Sequence, residues 1–68
     1  MQANIAVGMI ETTSIAKGIE ASDAMVKMAS VMLARTAVIA RGKYIIMITG
    51  PLGEVESAMR AGREIVGK

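Results

Sequence analysis

At 68 residues, with no cysteine and no histidine, the chain is one small domain that has neither disulfides nor thiolate or imidazole metal ligands to supplement a modest core, which leaves oligomerisation as the route to further burial. Eight Lys and Arg against six Asp and Glu give a scattered net charge of +2, too weak for a nucleic-acid footprint, and the single aromatic residue, Tyr44, makes no base-stacking platform. Although 53% of residues are apolar, no uncharged run approaches the ~20 residues that span a bilayer, and Met1 to Met9 lack a signal-peptide layout, so the chain reads as cytoplasmic.

Ile5 to Ile10 is a short apolar run expected to form a strand, with Gly8 marking the close approach of a backbone or helix. Glu11-Thr12-Thr13-Ser14 should break it, and Ser14 or Thr13 can cap a helix predicted from Ile15 to Ala29. Ile15, Ile19, Val26 and Ala29 are spaced for its buried face, with Met25 and Ala21 at the edges. Asp23 and Lys27 are four apart with the acid first, the order that favours an intrahelical pair. Gly18 is costly inside a helix and suggests contact with another backbone.

Two further apolar segments, Leu33 to Ile39 and Tyr44 to Thr49, flank the polar tip Ala40-Arg41-Gly42-Lys43. The second is β-branched on both alternating faces, the pattern of a central strand covered on both sides. At the tip a glycine sits beside two cations, so the chain can turn tightly while Arg41 and Lys43 remain in solvent. Gly50-Pro51 then ends the strand and opens a second helix, with Pro51 expected at its first position and Glu54 and Glu56 suited to its N-terminal end. Val55, Ala58, Met59, Gly62, Ile65 and Val66 repeat at helical spacing, and Gly67 can close the helix.

The expected order is strand, helix, strand, strand, helix: an α/β (α+β) architecture of the ferredoxin-like split β-α-β-β-α type with the final strand missing. Catalytic chemistry finds little support. Ser14, Ser22, Ser30 and Ser57 have no recognisable base, Glu54 and Glu56 do not face each other on a helix, and Gly50-Pro51-Leu52-Gly53 lacks the Lys-Ser/Thr of a P-loop. Two cationic features remain, Lys27 at a helix end and the Arg41/Lys43 tip. Spacing alone explains the first by complementing the helix dipole and the second as a solvated turn.

Longer stretches add to this reading. Ala6-Val7-Gly8-Met9-Ile10-Glu11-Thr12 and Gly18-Ile19-Glu20-Ala21-Ser22-Asp23-Ala24-Met25-Val26-Lys27, with Ile39-Ala40-Arg41-Gly42 and Gly50-Pro51-Leu52-Gly53-Glu54-Val55, resemble bacterial microcompartment (BMC) shell proteins over nearly the whole chain. Thr13-Ser14-Ile15-Ala16-Lys17-Gly18, with Gly42-Lys43-Tyr44, is most similar to the first half of tandem-domain trimeric shell proteins of the propanediol-utilisation type. The resemblance implies a non-enzymatic BMC-type domain that forms cyclic hexamers, or trimers of fused pairs, and tiles with other shell proteins into a microcompartment shell. It further implies that Ala40, Arg41, Gly42 and Lys43 line a central pore for small polar or anionic metabolites, and that Lys27 lies at the edge where tiles meet. It implies neither a nucleic-acid nor a membrane partner. Where some tandem members hold an iron–sulfur cluster through a pore-loop cysteine, this chain has Ala40, so no cofactor is carried over. The family's last strand would follow Lys68, which makes residues 1–68 a single BMC-like domain truncated at its C-terminus. The alternative from another class is a ferredoxin-like regulatory domain that binds a small effector, since this architecture hosts many functions.

Overall fold

A computed structural model describes residues 5–39 and 42–67. It contains β1 (Ile5–Thr12), α1 (Ile15–Met28), β2 (Met32–Ile39), β3 (Lys43–Pro51) and α2 (Leu52–Val66), the element order expected from the sequence. The three strands form one antiparallel sheet in the order β1-β3-β2, which puts the β-branched Tyr44 to Thr49 segment at its centre.

The first strand runs two residues further than expected, because Glu11 and Thr12 continue the ladder opposite Ile45 and Tyr44. The break therefore falls at Thr13-Ser14, where Thr12 Oγ1 accepts from Ser14 N–H at 3.2 Å and Ser14 Oγ accepts from Lys17 N–H at 3.2 Å to cap α1. Gly50 and Pro51 likewise remain in β3, opposite Ala6 and Ile5. Pro51 is thus the residue before α2 rather than its first helical position, since its φ of −60° would fit a helix but its ψ of 147° is extended. At the other end of α2 the Gly67 N–H reaches Arg63 O at 2.9 Å and closes the helix.

Both helices lie on the same face of the sheet. Their meeting point is a core of Ile10, Ala21, Met25, Ile46, Ile48, Val55 and Ala58. Gly8 lies under Val55 and Met59 of α2, so a helix does approach it closely, and Gly62 sits against Met25 and Ile10. Gly18 faces the ring of Tyr44, a side chain rather than the backbone that its sequence position suggested. Small residues at 8, 18 and 62 let two helices and a sheet approach without larger side chains intervening.

Two expectations about burial are corrected. The core face of α1 is Gly18, Ala21 and Met25, with Ala29 packed beside them; Ile15, Ile19 and Val26 form a separate apolar stripe in solvent. The central strand is also covered on one side only. Ile46 and Ile48 are fully buried beneath the helices, whereas Ile45 and Met47 on the opposite face are half-buried by their sheet neighbours alone.

Candidate functional site

The β2–β3 connection is a tight hairpin. Ile39 pairs with Lys43, and Gly42 takes a φ of +75°, the left-handed conformation that glycine adopts without steric cost. Ala40 and Arg41, the other two residues of the expected pore loop, lie outside the described residues. Gly42 is exposed. Lys43 is held by a partner the sequence reading did not consider: its Nζ is 3.7 Å from Glu11 Oε2, with both side chains about half exposed. The register explains the meeting. Glu11 stands opposite Ile45 on the open face of the sheet, and Lys43 is the next residue of β3 on that face, one diagonal step away.

Lys27 projects from the last turn of α1 with its side chain 74% exposed, and its Nζ is 3.1 Å from Asp23 Oδ2. This is the i,i+4 pair read from the sequence. The fold separates Lys27 from the hairpin tip. Helix α1 leaves β1 at Thr12, which pairs with Tyr44 beside the tip, and delivers the chain to Met32, which pairs with Thr49 at the far end of the sheet. Fourteen helical residues extend about 21 Å. The two candidate contact regions therefore occupy opposite ends of a unit whose longest dimension is 41 Å.

Glu54 is occupied structurally, its Oε1 accepting from Ser30 N–H at 2.8 Å, and this tether between α2 and the α1–β2 loop was invisible to sequence spacing because the partners are 24 residues apart. Among the described residues there is no group of three carboxylates placed to hold a metal ion. No described helix is long and apolar enough to cross a membrane. A groove of about 510 Å³ lies between β1 and α2, lined by Gly8, Met9, Val55, Met59, Arg60 and Arg63 among others.

What distinguishes this surface is its apolar character. On the open sheet face Val7, Met9 and Ile45 adjoin Met47, Ala37 and Ile39, and Val7 and Met9 are more than half exposed. Helix α1 adds Ile15, Ile19 and Val26 on a different side. Contiguous apolar surface of this kind marks interaction sites in soluble proteins.

Comparison with known proteins gives a consistent result. The family model described as the BMC domain matches residues 6–68. A bacterial microcompartment shell protein, PduT of Citrobacter freundii, is 45% identical over 62 residues, which cover 91% of this chain and 34% of that protein. The carboxysome shell protein CsoS1B of Halothiobacillus neapolitanus is 43% identical over 60 residues, covering 88% of this chain and 54% of that one. A solved microcompartment protein of Desulfitobacterium hafniense superposes with a TM-score of 0.90 at 42% identity, covering 94% of this chain and 36% of its own. The chain thus spans between about a third and just over half the length of these relatives.

Proposed function

Since this chain belongs to the BMC-domain family, we propose that it is a non-enzymatic tile of a microcompartment shell, closing with further copies or fused partners into a six-fold or pseudo-six-fold ring and joining other shell proteins at the ring's rim. The observation that carries this reading is the pair of unlike apolar patches, the open sheet face and the α1 stripe, left in solvent by a chain too small to cover them. Closed rings use heterologous interfaces, in which one patch of each copy meets a different patch of the next. A chain with two unlike apolar surfaces has what such a ring requires.

Within the ring, residues 40–43 line the opening on the axis and Lys27 contacts the neighbouring tile. The placement of the tip and Lys27 at opposite ends of the unit supports this assignment, since one must face inward and the other outward. Arg41 repeated around one axis concentrates positive potential in a narrow opening and draws in small anions. Residues 1–68 act as one BMC-like domain whose sheet accepts a further strand on the edge of β1 that has no partner among the described residues.

Size-exclusion chromatography with light scattering, followed by electron microscopy of concentrated samples, tests the reading. Rings of six domains that grow into sheets are expected. A monomer, or a dimer that forms only with a small effector, would replace the shell reading with that of a regulatory domain.

A further inference from the structure

We propose that Glu11 sets the net charge of the opening by neutralising Lys43, an inference that rests on the reading of residues 40–43 as the pore loop. Both side chains lie on the open face at the tip end of the sheet, one diagonal step apart, with Nζ and Oε2 3.7 Å from each other. At that spacing, well inside the Debye length of about 8 Å at physiological salt, the pair acts on a passing solute as a dipole rather than as a free cation. Among the described residues the other cation on this face, Arg35, stands opposite Met47, four residues along β3 from Lys43 and so about 13 Å away. Lys17 belongs to the first turn of α1, on the helix-covered side of the sheet.

The paired Lys43 therefore adds no net charge to the opening, where the tip sequence alone would suggest two cations per subunit. The ring of Glu11 carboxylates also sets acceptors and negative charge beside the path. Small anions and neutral polar solutes find both donors and acceptors there.

The test is the chloride-to-potassium permeability ratio, from reversal potentials of assembled rings in planar bilayers, for the parent chain, Glu11→Gln, Lys43→Gln, the double variant and Arg41→Ser. Circular dichroism and ring size confirm that each variant is folded and assembled. Glu11→Gln should raise the ratio by about twofold or more, Lys43→Gln should lower it, and the double variant should return close to the parent. Should Gln at position 11 perturb the ring, Glu11→Asp provides the second variant; its shorter carboxylate keeps the charge and the parent ratio. An unchanged ratio in Glu11→Gln while Arg41→Ser lowers it, or a double variant no nearer the parent than Glu11→Gln, overturns the role of Glu11 and leaves the pore reading standing. Unchanged ratios in all four primary variants overturn both.

Discussion

Glycines at positions 18 and 53 have opposite consequences although both lie in helices. A Cβ added at Gly18 would overlap the ring of Tyr44, and that ring is wedged between α1 and the sheet. Overpacking of this kind costs about 1–3 kcal/mol, more than the roughly 1 kcal/mol that alanine gains over glycine in a helix. Gly18→Ala should therefore lower the urea midpoint. Around Gly53 no heavy atom lies within 4 Å of the added carbon, so Gly53→Ala should raise stability by about 0.5 kcal/mol, mainly by restricting the unfolded chain. Equal shifts in the same direction would show that packing at Tyr44 does not set the separation of α1 from the sheet. The tether at Glu54 gives a second measure at this scale. Removing the acceptor of the 2.8 Å bond leaves the Ser30 N–H to solvent, so Glu54→Ala should cost about 1 kcal/mol and Glu54→Gln less, because the amide oxygen still accepts.

Among the elements, β1, like β2, has one edge with no partner strand among the described residues. Val7 and Met9 beside that edge are exposed, and a row of unpaired backbone donors and acceptors recruits other strands. An alternating apolar strand joined after Lys68 should occupy this edge, and the fusion should give a higher melting temperature and less thioflavin-positive aggregate than the 68-residue chain. If the chain as it stands remains a stable monomer at high concentration, the edge is not a recruiting surface. Element order was legible in the sequence because each segment carries a distinct signal: Ser14 as a cap, the two-sided β-branched run of Tyr44 to Thr49, Gly50-Pro51 between strand and helix. The covered faces were less legible. Helix α1 has two apolar stripes, and periodicity favours the one with the larger residues, Ile15, Ile19 and Val26, whereas the fold buries the smaller Gly18 and Ala21 with Met25. Likewise Ile45 and Met47 are as apolar as Ile46 and Ile48, so the pattern of β3 reads as two-sided although its own helices cover one side. A chain with one apolar surface in its core and another in solvent writes both in the same alphabet. At the candidate site, the turn at Gly42 and the Asp23–Lys27 pair followed from local spacing, while Glu11 with Lys43 depended on a strand register between segments 32 residues apart and could not.

For the whole molecule, we propose that two unlike patches meet in one repeated interface. Met9 lies on the open sheet face and Ile19 on the α1 stripe, and each is 56% exposed in the single chain. Replacing such residues changes the stability of the isolated fold by about 0.5 kcal/mol or less, so Met9→Glu and Ile19→Glu should keep the parent circular dichroism spectrum. In an interface, however, each substitution buries a carboxylate without a partner, and that penalty is incurred at every junction of the ring. Either variant alone should therefore fail to form rings. Mixing them separates a heterologous interface from one that joins like patches. The Met9→Glu copy retains an intact α1 stripe and the Ile19→Glu copy an intact sheet face, so one good junction can form between them, and the remaining two patches of that pair are both damaged. Light scattering of the mixture should show a one-to-one dimer that grows no further, although neither variant dimerises by itself. If Met9→Glu or Ile19→Glu still forms rings, its patch is not part of the junction. If both fail and the mixture stays monomeric, the two patches do not meet each other and the ring must be built from a different pairing of surfaces.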